Sequence, residues 1–385
     1  MSISENTSAK RHRYWGWISV LLVVFLGGLF CYLRQLAQGL VITGLSRDVS
    51  WGLYIGQFTF FVGIAASAVT VVLPYYLHDC KSFARLTVLG ELLAISAVIV
   101  SALFIFVDLG QPARIFYIIL YPQPQSVMFW DMIALGGYLL MNIVIARTAL
   151  RTEREHIAAP AWLKPLIFVS IPWAISIHTV TAFLYSGLPG RTYWLTALLA
   201  PRFLASAFCS GPALLILLSL AMKKWTDFDI GNEALQKLSI VITYAAAANI
   251  FLMVTEVFTA FYSEIPDHEN AFAYLFIGAN GDFHIVPWMW VSFLLSLVGL
   301  TLLLVPKWRT QSRFLITACV CTFTSIWLDK GLGFIIGGLV PSPLGTITRY
   351  APTLPEWSIL CGIWAIGALM VTTFYRITLS VWEED

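Results

Sequence analysis

Charge is what this sequence has least of. Of its 385 residues only 11% are Asp, Glu, Lys or Arg, while 59% are hydrophobic, and the mean hydropathy is +0.80. Soluble globular chains carry about 25% charged residues. The shortfall excludes a water-covered surface and fits a lipid-facing one, because an ionised side chain at mid-bilayer costs roughly 2.5–3.5 kcal/mol or more. Excess positive charge is missing too: a net charge of +2 with no basic stripe leaves no footprint for nucleic acid. Paired metal-binding cysteines are absent. Cys31, Cys80, Cys209, Cys319, Cys321 and Cys361 are scattered, no C-x-x-C occurs, and Cys319-x-Cys321 is too short to hold a metal alone. They read as small buried hydrophobes, and no iron–sulfur or zinc site is expected. Of six histidines only His178 falls deep inside an apolar run, with His284 at the end of another. A b-type haem needs paired histidines on facing helices, so no haem is expected either. There is no linker and no soluble domain of appreciable size.

What is present is a series of apolar runs of membrane-spanning length. They cover 14–36, 50–77, 85–107, 126–150, 163–186, 201–222, 239–262, 284–305, 312–330 and 355–380. The polar residues 1–13 end in Lys10-Arg11-His12-Arg13, and no small-residue cleavage signature follows. The first run therefore reads as a retained signal anchor. Tryptophans near run ends, among them Trp15, Trp130, Trp162 and Trp288, suit an interfacial belt. Sixteen of the 23 Lys and Arg fall on the side of the termini and seven on the other. By the positive-inside bias both termini are cytoplasmic and the membrane is a bacterial inner membrane. The expected fold is an all-α polytopic membrane protein of about ten transmembrane helices. Two four-helix bundles, 50–186 and 201–330, would be flanked by helices 14–36 and 355–380, behind the cytoplasmic N-terminus 1–13. Helices 2–5 and 6–9 would then run as parallel repeats. The longest connections, 263–283 and 331–354, face outward. The first holds Glu264, Asp267, Glu269 and Asp282 and no Lys or Arg, which suits a lid, a docking surface or a merely solvated acidic loop.

Ionisable residues inside a span are candidates for function. At 1.5 Å per residue Asp131, His178 and Glu256 lie about 8, 12 and 9 Å below the outer ends of their helices. Asp108, His284, Asp329 and Lys330 stand at outer helix ends. Only Glu91 falls in the inner half. Structural ion pairs have no reason to choose one leaflet, whereas a polar pocket beneath the outer face explains the bias at once. An amphipathic ligand with a lipid tail and a proton-bearing head suits such a pocket. A quinol is the obvious candidate, since its hydroxyls need acceptors that also take protons. Pro172, before His178, would kink helix 5 and open room beside it. Glu91, with Gln57, Asn142 and Tyr244, reads either as a proton path from the cytoplasm or as a neutral carboxyl bonded to a neighbouring helix.

Two runs then point to a family. Thr43 to Gly56, TGLSRDVSWGLYIG, and Asp108 to Arg114, DLGQPAR, resemble the NrfD/PsrC family of membrane quinol-interacting subunits. PYYLHD, Pro74 to Asp79, and SVMFWDM, Ser126 to Met132, bring it nearest to the DsrP-like branch of that family, with HmcC-like and HybB-like relatives. The resemblance is densest over 41–142. It implies two four-helix bundles and a menaquinone or ubiquinone site near the outer face. It further implies no redox centre in the chain, a periplasmic iron–sulfur partner over the site, and other membrane subunits beside it. Asp108 and Arg114 match the signature, so Asp108 either accepts a quinol proton or holds Arg114. Trp51 and Gly52 match the W-G element, Trp51 as a quinone contact or an interface anchor. Gln111 stands where the family often has Arg.

The expectation is a quinone-binding subunit of a respiratory electron-transfer complex, catalytic only within its assembly. Asp108, His178 and Glu256 would exchange protons. Trp51, Gln111, Arg114, Asp131 and Asp329 would contact the quinone, and Glu91 and Gln57 would serve a proton path. Kinship with the DsrP-like branch alone implies dissimilatory sulfur metabolism. The rivals are a secondary transporter, a haem-bearing cytochrome b-type subunit and an inert anchor. Against the transporter, no paired Gly- or Pro-broken helices stand out.

Overall fold

The computed structural model describes residues 3–383 except Asp79 and Asp227, and leaves aside the side chains of residues 3–11, Ser67, Leu77 and Glu383. Asp79, the last residue of the PYYLHD run, thus lies outside the described residues. Among the described residues ten helices are long and apolar enough to cross a membrane: span 1, His12–Gln38; span 2, Leu53–Tyr76; span 3, Lys81–Asp108; span 4, Val127–Arg154; span 5, Leu163–Ser186; span 6, Leu199–Trp225; span 7, Asn232–Tyr262; span 8, Val286–Leu304; span 9, Ser312–Leu339; and span 10, Leu354–Trp382. Helix suits this environment because it satisfies every backbone N–H and C=O within the segment, which lipid cannot do. We refer to the end of the bundle bearing residues 39–52 and 109–126 as the signature end.

Spans 2 and 3 form the centre, with 76% and 78% of their apolar windows buried, against 17%, 22% and 28% for spans 1, 8 and 10. Every residue from Leu53 to Ala65 is buried, so the first half of span 2 has no polar face. Span 3 packs on span 2, span 5 on span 4, span 7 on span 6, and span 9 on span 8. Small and hydroxylated residues let backbones approach, as in other membrane bundles. Ser292 and Ser325 each donate to the other's carbonyl, at 2.8 and 2.7 Å, and so tie span 8 to span 9. Span 1 packs chiefly on span 10, where Gly28 and Gly362 cross so closely that a Cβ on Gly28 would meet the Gly362 Cα at 2.7 Å.

Two helices are interrupted, and neither interruption is foreshadowed in the sequence. Span 2 breaks at Ala66 between Leu53–Ala65 and Ser67–Leu77. Span 9 passes through a π turn, Asp329–Gly333, before resuming at Phe334–Leu339. This corrects two expectations. Asp329 and Lys330 do not end a helix, and the connection expected at 331–354 begins only after Leu339. Asp329 lies ten residues before Leu339, about 15 Å down the helix. The acidic connection 263–283 also contains a helix, Pro266–Phe276. The π turn lies against span 2: a Cβ on Gly56 would collide with the Gly331 carbonyl oxygen. Gly56→Ala is expected to cost about 1–3 kcal/mol through overpacking. A lowered thermal midpoint of the purified complex would show it, and a wild-type midpoint would mean that the contact yields.

Candidate functional site

The π turn puts charge where the bundle is otherwise apolar. Arg202, four residues into span 6, donates from Nη1 to Glu256 Oε2 of span 7 at 2.5 Å and from Nη2 to Asp329 Oδ1 and Oδ2 of span 9 at 2.8 and 3.0 Å. Lys330, next along the turn, donates to the Phe203 carbonyl at 3.2 Å, and its ammonium stands 3.9 Å from the centre of the Phe203 ring. All four charged residues are at least 93% buried. Their formal charges, two positive and two negative, cancel. Isolated, each would be costly in hydrocarbon; paired at these distances and fixed by bidentate geometry, they are tolerable. The widened π turn is what lets consecutive residues Asp329 and Lys330 both face inward.

Beside this cluster lies a layer of rings. Tyr185 and Trp194 are wholly buried and 5.2 Å apart between ring centres; Trp51 meets them at 5.8 and 6.0 Å. Phe334 and Phe203 close the layer, 4.9 and 6.1 Å from Tyr185, so Phe203 belongs both to the layer and to the Lys330 site. The Tyr185 hydroxyl shares a hydrogen bond of 2.5 Å with Thr59 of span 2. One turn earlier on span 5, Thr181 donates to Asp131 Oδ1 of span 4 at 2.6 Å. His178, three residues before Thr181, is 1% exposed, and its Nε2 has no hydrogen-bond partner among the described residues. A buried polar atom left unpaired costs about 1–3 kcal/mol, which a ligand would recover.

A second polar cluster lies at the start of span 10. Thr353-Leu354-Pro355-Glu356 is a capping box with Pro at the first helical turn: the Thr353 backbone N–H donates to Glu356 Oε2 at 2.8 Å. Glu356 is nevertheless fully buried, because it also accepts from the Gly44 N–H and from the Tyr350 hydroxyl, each at 2.7 Å. Tyr350 in turn accepts from the Leu53 N–H at 2.7 Å. Burial, with Glu356 beside it second, pushes the Tyr350 phenol above its ordinary range, so it stays a hydrogen-bond donor. Gly44 and Gly52 have room only for hydrogen, since a Cβ at either would strike Ala351 or Tyr350. The TGLSRDVSWG run is thereby stitched to span 10 and holds Trp51 over Tyr185. Asp108 is near this cluster, with Oδ1 buried and unpaired. Tyr54 bonds Gln35 Oε1 at 2.8 Å, and Gln35 bonds the Val107 carbonyl at 2.7 Å.

The polysulphide reductase, NrfD, family model matches residues 41–334, which takes in both signature runs, the ring layer and the π turn up to Phe334. This protein belongs to the NrfD family. Among curated relatives it is similar to a putative dimethyl sulfoxide reductase membrane subunit of Halobacterium salinarum, 28% identical over 94% of this chain and 90% of that one. It is also similar to the Hdr-like menaquinol oxidoreductase integral membrane subunit of Archaeoglobus fulgidus, 20% identical over 97% and 95%. A third relative is the menaquinone reductase integral membrane subunit of Nitratidesulfovibrio vulgaris, 22% identical over 94% and 90%.

Within this NrfD protein the structure joins some of the expected residues and separates others. Glu256 and Asp329 share Arg202; Trp51 touches Tyr185, which follows Thr181, the partner of Asp131, on one face of span 5. Asp108 makes no hydrogen bond to this group among the described residues and belongs with Tyr54 and Glu356. Arg114 and Gln111 are exposed, and among the described residues Asp108 and Arg114 form no ion pair. Gln57 is fully buried, accepting from Trp327 and Trp364 at 2.9 and 3.2 Å. Glu91 is buried in span 3 with Oε2 unpaired, Asn142 bonds the Tyr138 carbonyl, and Tyr244 is 75% exposed, so among the described residues no hydrogen-bonded chain links the four. His284 stands 3.6 Å from Asp282, and burial lowers its proton affinity. Arg202 and Glu356 escape sequence reasoning, although signals for both exist. Arg202, Ser206 and Ser210 form a buried polar stripe at four-residue spacing on span 6, and Thr353-x-x-Glu356 is a capping box.

Proposed function

We propose that this chain is the quinone-binding subunit of a respiratory oxidoreductase, exchanging electrons between the menaquinone or ubiquinone pool and an iron–sulfur protein docked at the signature end. The observation that carries the reading is His178: an imidazole nitrogen without a partner among the described residues, buried on span 5 about two turns before Tyr185 of the ring layer and within electrostatic reach of Lys330, in a chain whose relatives include proteins named for menaquinol and menaquinone. The rings offer flat faces on which a quinone head can stack. His178 Nε2 is free to accept a hydroxyl proton, and the Lys330 ammonium lies within electrostatic reach of it. Asp131, Glu256 and Asp329 complete the proton-exchanging set, and Asp108 with Trp51 bounds it on the signature side. Both termini face the cytoplasm, protons leave outward, and two four-helix bundles, 50–186 and 201–330, frame the site. The partner complex serves dissimilatory sulfur metabolism; this finer statement rests on the DsrP-like runs alone.

The test is binding and turnover in the assembled complex. Menaquinol is expected to be oxidised, and a head-group analogue to quench indole fluorescence from Trp51 and Trp194 saturably. A complex that works with artificial donors to its soluble subunits, yet neither binds the analogue nor oxidises menaquinol, would return this chain to the role of an inert anchor.

A further inference from the structure

Away from the signature-end loops, a groove of about 480 Å³ opens between spans 1, 9 and 10. Leu21 and Val24 line it from span 1 and Leu360 and Ala368 from span 10, while Trp327 and Trp364, whose N–H groups bond the fully buried Gln57, form its floor. Both indoles turn their N–H inward, onto the same oxygen of Gln57. The groove therefore presents ring faces and aliphatic groups. Behind its floor, Gln57 Nε2 reaches the Gly331 carbonyl at 3.4 Å, and Gly331 lies in the π turn two residues from Asp329. One amide side chain separates an apolar groove from the charged cluster.

Size and depth choose the occupant. The wall from Leu360 to Ala368 is about 12 Å long, whereas a spanning partner helix is about 30 Å long and 10 Å or more across. A phospholipid acyl chain fits by width and by depth, since the wall begins about 9 Å below the start of span 10, but its head stays at the membrane surface and leaves the polar group behind the floor unused. An isoprenoid quinone carries a small uncharged head that lies at depth, at the end of an apolar tail. It needs both the groove and the polar group behind it.

We propose that this groove holds the isoprenoid chain of the quinone, and that Gln57, held by Trp327 and Trp364, marks the point at which the head group passes from the groove to the charged cluster. The inference rests on the quinone reading above and gives the flanking spans a role, since the Gly28–Gly362 crossing fixes the wall of the groove. The test compares long-chain menaquinol with its one-isoprene analogue in the assembled complex, in native membranes. Ala365→Phe and Ala368→Phe fill the groove. Each is expected to raise KM for the long-chain quinol about ten-fold or more, leaving KM and kcat for the short analogue within about two-fold. Unchanged KM for both quinols, or equal losses for both, overturns the groove while the quinone reading stands. Wild-type complex that oxidises neither quinol overturns both. A second measurement needs no variant: a long-chain quinone with a photoreactive tail should label peptides around Trp327 and Leu360–Ala368, and labelling confined to other spans overturns the assignment.

Discussion

Arg202→Ala is expected to abolish both assembly and quinol turnover. The substitution leaves Glu256 and Asp329, 7% exposed each, facing one another without their shared cation. Removing one partner of a buried ion pair costs about 3–5 kcal/mol, because the uncompensated charge stays behind. Here two carboxylates stay behind with only the Lys330 ammonium to balance them, and domain stabilities of about 5–15 kcal/mol leave little margin. Membrane levels of the complex, read by immunoblot, should fall sharply. Replacing the whole cluster separates structure from chemistry. Arg202→Met, Glu256→Leu, Asp329→Leu and Lys330→Met together present an apolar core of similar volume and leave no charge behind, and such exchanges are often neutral or stabilising. The quadruple variant is expected to assemble and yet oxidise no quinol. Turnover in that variant would show that the cluster only holds spans 6, 7 and 9 together.

His178→Phe is expected to do the reverse: keep the complex and lose the chemistry. The imidazole Nε2 has no partner to lose, so an apolar ring of similar size should leave the thermal midpoint unchanged or raise it. If the imidazole accepts the quinol proton, kcat should fall about 10²-fold or more, with a smaller change in KM. A variant that unfolds with its turnover per assembled complex intact would make His178 a packing residue. The two substitutions thus share the loss of turnover and differ in assembly, and together they locate the chemistry.

The ten spans were legible because each is a long, predominantly apolar run, and lipid permits little else. What lay within those runs was less so. Asp131, His178 and Glu256 stand out in sequence because each interrupts a run well away from its ends. Arg202 was hidden by position: three residues from the start of span 6, it reads as a flanking interfacial charge. Glu356 was hidden the same way, at the start of span 10. The π turn has no compositional mark, since Asp329-Lys330-Gly331 looks like the polar stop of a helix, and only the packing of Gly331 on Gly56 shows that the helix goes on. The signature itself misleads in one respect. Asp108 and Arg114 are close in sequence and suggest a pair, yet the turn Pro112–Phe116 carries Arg114 to the surface.

The clasp between spans 1 and 10 has a consequence for biosynthesis. Span 1 is made nine helices before span 10, its principal neighbour, so over that interval it waits in lipid with its glycine face uncovered. Spans 2 and 3 can bury one another early, and the outermost layer closes last, after the charged interior is already sealed.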